Sequence, residues 1–392
     1  MNENENKSTQ PRPLSLDETI RQCKALWRLC FPEDTQAFID LYFNNKVLSS
    51  NCINSISQIG SQIVAAFQIL PYKMTYCGGH IQMGYLSGCC THPDYRNQGI
   101  MTNLIRNSFQ EAAKNGIQML SLIPAEPSLF DYYARLGFAT VFGYDEVHYR
   151  LSHTAGDRLS NGNALQQPSI NRANRYQAED MLDAIYAFMK ERMNARPCCV
   201  QHSQTDYRVI IADLDQSRGR CCCTQDIEDE EIIRKIAADP DYLPPLSYSS
   251  IALAYPTANR EWTIGEMLAK DEQAFNSICQ NACLQLNTDH ITVRRPPRAL
   301  ATMKPLGMAR LIDAHDLLKR YVAAHPEADE CLEITDPVLE DNNAIFLLSE
   351  GQCIKSINPS YKPADRLTLS IDELALWIFA DEVPYMSLML NL

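Results

Sequence analysis

Between Thr91 and Ile105 the chain reads THPDYRNQGIMTNLI. A proline, an arginine and a glycine stand in a short polar stretch, and an amphipathic run follows. A phosphate group needs backbone N–H donors that converge on it. A helix start supplies them, and its dipole favours negative charge. Gly99 lets the backbone approach closely, and Arg96 adds a positive charge at the mouth of the turn. These residues read as a loop that wraps a pyrophosphate. The spacing R-x-x-G taken alone describes an ordinary helix cap equally well.

Such a loop must sit between a strand and a helix, and the flanking sequence provides both. Residues 15 to 30 have helical spacing, with Leu16, Ile20, Cys23, Leu26 and Trp27 on one face, and Ala37 to Tyr42 predicts a second helix. The period then changes to strands at 62–70, 72–77 and 80–90, with a tight turn at Gly78-Gly79. After the loop, a helix from about Gln98 to Lys114 is stopped by Asn115-Gly116. A strand (117–124) follows, then a helix that Ser128 can cap, running through Ala134 and ended by Gly137, then a strand pair in FATVFGYDEVHYRL. This order is that of an α/β unit.

Residues 153–169 are polar and turn-rich and read as a linker. Beyond them a helix (178–193), ordered structure at YRVIIADL, strands at SIALAYPT and WTIGEML, a helix (271–287) and the strand HITVRR suggest a second α/β unit without the loop signature. The acidic run 226–241 reads as a solvated helix face or insertion. Pro296-Pro297 marks another boundary. The remainder mixes strands (CLEITD, NAIFLLSE) with helices (HDLLKRYVAAH, IDELALWIFA).

The totals set limits. A chain of 392 residues exceeds one ordinary core, so two or three domains are expected. A net charge of −13 argues against reading a nucleic-acid backbone, and weakly favours encounter with cationic small molecules. None of the fifteen cysteines makes a C-x-x-C pair. Several are adjacent instead (Cys89-Cys90, Cys198-Cys199, Cys221 to Cys223), and neighbours on a strand point to opposite faces, so no metal site is expected. Cys279 and Cys283, one helical turn apart, read as buried helix packing. Mostly buried thiols in a reducing cytoplasm are the expectation. The polar start MNENENKSTQ is unlike a signal peptide, and no apolar run is long enough to span a membrane.

The loop resembles that of the GNAT acetyltransferase superfamily, V-x-P-x-x-R-x-x-G-x-G/A between a strand and a helix. Here Thr91 stands for the usual valine and Met101 for the small last residue. The segment YYARLGF (132–138) is similar to the family's Y-x-x-x-G-F, which puts Tyr133 at the family's tyrosine position. The rest of the chain resembles the Eis (enhanced intracellular survival) acetyltransferases. The segments CCVQHSQTDYRVIIADL, GMARLIDA and LTLSIDELALWIFA carry that likeness, the last two being typical of a terminal sterol-carrier-like domain. The resemblance implies an α/β (α+β) fold: two tandem GNAT-like lobes, 1–152 active and 153–297 degenerate, then a sterol-carrier-protein-like domain at 298–392.

It further implies an acetyl-CoA-dependent N-acetyltransferase with no metal. Its acceptor would be a primary amine of a cationic small molecule, peptide or lysine, aminoglycosides and polyamines among them. Cys89, Cys90 and Thr91 would lie along the pantetheine arm. Arg96, Asn97, Gln98, Gly99, Ile100, Met101 and Thr102 would hold the pyrophosphate. Tyr133 would protonate the leaving thiolate, with Tyr132 as a neighbour that could be the packed one of the two. The free carboxylate of Leu392, at the end of an apolar tail, would be the base, and Glu126 and His92 are its rivals. A homo-oligomer, a hexamer, is also implied. Two other readings stay open: a non-catalytic acyl-CoA sensor or lipid-binding scaffold, and a transferase of longer acyl groups.

Overall fold

The computed structural model describes residues 14–48, 51–151, 176–226, 230–239, 242–356, 366–386 and 389. The linker at 153–169 and Leu392 lie outside them. The chain forms two compact units. One contains Met1–Val141 and Leu306–Phe379, the other Phe142–Pro305 and Ala380–Leu392.

The first unit opens with α1 (Leu16–Cys30) and α2 (Gln36–Tyr42), each capped by a hydroxyl, Ser15 on Glu18 N–H and Thr35 on Phe38 N–H. Strands β1 (Ile53–Ile59), β2 (Gln62–Tyr76) and β3 (Gly79–Thr91) form an antiparallel meander. The sequence suggested two strands on either side of Pro71, and missed β1. In fact β2 is one strand through the proline. The last β1 partner is Ile69, so the N–H that Pro71 lacks breaks no bond to β1. Next come α3 (Ile100–Lys114), β4 (Met119–Leu122) and α4 (Ser128–Ala134). Ser128 is the first residue of α4 and Pro127 holds the cap position, so the expected serine cap is not made. The expected strand pair after Gly137 is a single strand, β5 (Ala139–Arg150), which carries the chain out of the first unit.

The second unit contains α5 (Ala178–Asn194), the two-residue β6 (Val200–Gln201), α6 (Gln204–Gln216), β7 (Arg220–Gln225), α7 (Glu230–Ala238), β8 (Tyr248–Pro256), β9 (Trp262–Ala269), α8 (Glu272–Gln285) and β10 (His290–Arg295). YRVIIADL thus falls in a helix. Ser203 and Asp206 form a capping box, and Tyr207, Ile210 and Leu214 bury one face at helical spacing. The strand order is β5-β10-β9-β8-β7. Cys279 and Cys283 are buried in the core beneath α8, as helix packing requires. The tail enters this unit: Tyr385 donates its N–H to Cys198 O (2.7 Å), accepts from Val200 N (3.1 Å), and is buried in the core.

The chain then returns to the first unit through β11 (Lys304–Leu311), α9 (Ala314–Ala324), β12 (Glu330–Thr335), β13 (Ala344–Ser349), β14 (Gln352–Ser356), β15 (Leu367–Ser370) and α10 (Ile371–Ile378). The last four strands make their own sheet, in the order β14-β13-β12-β15. The strand of GMARLIDA, β11, instead pairs antiparallel with β4, Met308 opposite Leu122 and Leu311 opposite Met119. The first unit's larger sheet therefore includes β1-β2-β3-β4-β11. Its core, with Phe67, Ile105, Phe109, Leu120 and Phe138, also takes in Met308 and Ile312.

Candidate active site

The site is built on β3. Its pairing with β4 is parallel and covers only Met83 to Tyr85 against Met119 to Ser121. Beyond Tyr85, β3 continues to Thr91 with β2 on one side. Backbone groups of the Leu86–Thr91 edge that faced β4 therefore need another partner, and an extended chain can add there as a strand would.

A bulge interrupts that edge. Ala66 pairs with Cys90 and Gln68 with Ser87, so Gly88 and Cys89 together oppose Phe67. Gly88 adopts a left-handed φ of 64°. A Cβ there would lie 2.1 Å from the Trp27 ring, so the α1 tryptophan closes directly on the glycine backbone. Sequence reading missed this feature, although a lone glycine inside a strand pattern is the usual signal for a bulge.

After Thr91 the chain makes a 3-10 turn at Pro93–Tyr95, and Asn97 (φ 62°) and Gly99 (φ 73°) both take the left-handed conformation. Residues of this kind turn successive N–H groups to one side and make an anion-binding hollow. Gly99 starts α3 without a side-chain cap, unlike the serine and threonine that cap α1 and α2. The first N–H groups of α3, at Ile100, Met101 and Thr102, are thereby left for a ligand or solvent. A Cβ on Gly99 would meet no atom within 4 Å, so the turn faces open space. Gln98 lies in the loop and donates to Asp94 O (3.3 Å), rather than opening the helix. Arg96 folds back, Nε donating to Thr91 O at 3.1 Å and Nη2 to Cys30 Sγ at 3.8 Å.

Tyr133 faces this strand from α4. Its side chain sits in the core against which Cys89 packs, and burial, with the Cys89 thiol beside it, holds its pKa well above the usual phenol value. Burial also pushes the Cys89 thiol up to about 12. Both groups are protonated at neutral pH. Of the two tyrosines the sequence left in competition, Tyr133 is the packed one, at 6% exposed. Tyr132 is half-buried and shares a hydrogen bond of 3.1 Å with Thr102 Oγ1, tying α4 to the first turn of α3.

Cys90 points the other way, towards α1. Its thiol donates to Ala66 O at 3.5 Å, and the neighbouring Cys30 sulfur together with burial keeps it protonated. The neighbouring Cys90 thiol, helped by the Arg96 guanidinium, pulls Cys30 down to about 6. His92 lies on the α1 side too. Its Nδ1 accepts from Asp94 N–H (3.3 Å) and its ring lines a surface hollow with Gln22 and Leu26. Glu126 is exposed beyond β4, within 3.4 Å of the Ser128 hydroxyl. Among the described residues no group of three or more His, Cys, Asp or Glu is placed to hold a metal, and no helix is long and apolar enough to cross a membrane.

Residues 10–141 match the acetyltransferase (GNAT) domain family, and residues 315–385 match the sterol carrier protein domain. Solved structures resemble nearly the whole chain. A GCN5-related N-acetyltransferase from Anabaena variabilis covers 94% of this chain and 97% of its own, at TM-score 0.65 and 15% identity. A probable N-acyltransferase from Enterococcus faecalis covers 93% and 88%, at 0.63 and 15%. Eis1 from Mycobacterium abscessus covers 95% and 90%, at 0.61 and 15%. Such identities speak for the fold. A search of curated proteins by sequence finds no match.

Residues 10–141, with the loop between β3 and α3, are thus a GNAT acetyltransferase domain, and the chain is an acyltransferase. The terminal sterol carrier protein domain joined to it makes the architecture Eis-like.

Proposed function

We propose that the chain transfers an acetyl group from acetyl-CoA to a primary amine of a cationic small molecule, peptide or lysine. One arrangement carries this reading: the open β3 edge runs straight into the turn of α3, with the Tyr133 hydroxyl facing that edge at Cys89. An extended pantetheine fits the edge from Leu86 to Thr91, beside Cys89 and Cys90. A pyrophosphate fits the N–H groups from Asn97 to Thr102, with Arg96 adding charge.

The reaction needs a neutral amine, a polarised carbonyl and a proton for the leaving sulfur. A backbone N–H of β3 between Cys89 and Thr91 serves the developing oxyanion. As the amine nitrogen bonds to the carbonyl carbon and the carbon–sulfur bond breaks, Tyr133 gives its proton to the thiolate. The base that takes the amine proton is the carboxylate of Leu392. His92 suits the task less well, because its Nδ1 is committed to the loop backbone.

We take the working protein to be a cytoplasmic homo-oligomer, a hexamer, with domains at 1–152, 153–297 and 298–392. The two family matches fall inside the first and third of these. The deciding experiment is a calorimetric titration of acetyl-CoA, followed by an amine screen read by product mass. Saturable binding near one site per chain, with an acetylated amine, is expected. Absence of binding overturns the reading. Binding with no turnover of any amine favours the sensor.

A further inference from the structure

Beside the site, three arginines line one cavity of about 340 Å³ between α3, the end of α4 and the segment after β12. Arg310, on β11, is wholly buried. Its Nη2 donates to both Asp336 carboxylate oxygens at 2.7 and 2.8 Å, its Nη1 donates to Leu311 O at 2.8 Å, and its guanidinium lies over the Phe109 ring. Its Nε is buried with no hydrogen-bond partner. Asp336 is thus spent on Arg310, and among the described residues no carboxylate pairs with Arg106 or Arg135. Burial raises the pKa of the neighbouring Tyr132 phenol, and the positive charges of Arg135 and Arg106 oppose that rise. Leu136, Pro337 and Val338 line the rest of the hollow. Two uncompensated cations side by side, on a chain of net charge −13, repel one another until an anion joins them.

We propose that Arg106 and Arg135, backed by the buried Arg310, form a binding site for a phosphomonoester. Guanidinium forks match phosphate oxygens in pairs. The phosphate has two possible sources. One is the 3′-phosphate of CoA. Arg106 lies about 10 Å along α3 from Gly99, within reach of a nucleotide whose pyrophosphate occupies the turn. This source rests on the cosubstrate reading above. The other is a separate phosphorylated ligand.

Calorimetry on the full chain and on an Arg106→Gln, Arg135→Gln double variant tests the site, with CoA, 3′-dephospho-CoA and inorganic phosphate as probes. Both side chains are exposed, and an unchanged melting temperature verifies the variant's fold. The 3′-phosphate source predicts that the wild type prefers CoA over dephospho-CoA by roughly tenfold or more, and that the double variant loses this preference. A separate ligand predicts equal affinity for the two coenzymes, with inorganic phosphate binding the wild type and not the variant. The proposal is overturned if the wild type treats both coenzymes alike and binds phosphate no better than the variant. A wild type that binds no CoA sinks the acetyl transfer reading, and the phosphate titration then decides this one alone.

Discussion

Tyr133 packs beside the Cys89 thiol, so an α4 side chain meets β3 where that strand has left its neighbour β4 behind. Both groups carry their protons throughout the neutral range. A phenol held above its usual pKa is a weak acid, and it gives up its proton only to a base strengthened by the same burial, such as a thiolate that forms in the same dry site. Tyr133→Phe is expected to lower kcat by about 10²- to 10⁴-fold while the dissociation constant for CoA stays the same. Unchanged turnover would remove Tyr133 from the chemistry. Since the folded pKa lies above 10, any loss of rate below that pH must come from another group.

The base is tested by moving it. Met389 is buried, so cutting back past it would unsettle the fold, whereas one glycine added after Leu392 shifts the carboxylate and spares the packing. That extension should reduce turnover by on the order of 10²-fold with CoA binding intact. Full activity in the extended chain would redirect the search to Glu126.

Gly99 can be probed with a pair of substitutions. Its φ of 73° makes any other residue pay about 1 kcal/mol, and its surroundings are open, so Gly99→Ala should cost roughly that and little else. Gly99→Glu places a carboxylate at the helix start, where the pyrophosphate is proposed to sit. CoA affinity should fall at least tenfold more in the glutamate variant than in the alanine variant. Equal affinities would mean that the turn does not hold the anion.

Gly88 is the opposite case, since it is both left-handed and crowded by Trp27. Gly88→Ala should destabilise the first unit by about 3 kcal/mol, from conformational strain and overpacking together. Denaturant unfolding measures this directly. A loss below about 1 kcal/mol would show that α1 can yield, and that the bulge is not fixed by the tryptophan.

Cys30 titrates at about 6, well below its ordinary value of 9.0, because Cys90 and Arg96 favour its thiolate. Alkylation by iodoacetamide, followed at Cys30 by mass spectrometry, should rise with pH around 6 and be nearly level by pH 8. Arg96→Gln should move that midpoint upward. A midpoint near 9 in the wild type would contradict the arrangement. The depressed pKa also contributes stability above the unfolded value, which is lost as pH falls through about 6.

Much of this was legible in the sequence because it is local. The loop was found from Arg96 and Gly99, and α1, α3 and α8 from apolar spacing within one turn or two. What escaped depends on distant partners. Pro71 reads as a break in a strand taken without β1, whose register ends at Ile69. YRVIIADL is committed to a helix by the Ser203 and Asp206 capping box that precedes it. Tyr132 and Tyr133 are adjacent and chemically identical. Only the direction of α4 decides which one is buried against Cys89. No residue in GMARLIDA announces that its strand pairs with Met119 to Leu122.

That last pairing bears on how the protein is made. When the ribosome has finished α4, the edge of β4 has no β11 to cover it, and the whole of Phe142–Pro305 must still emerge before it does. Contacts so far apart in sequence close slowly, and an apolar strand edge left waiting is where nascent chains stick to one another. The catalytic lobe is thus a late product of synthesis despite its early place in the message, and a gene fragment ending near Arg150 would yield aggregate.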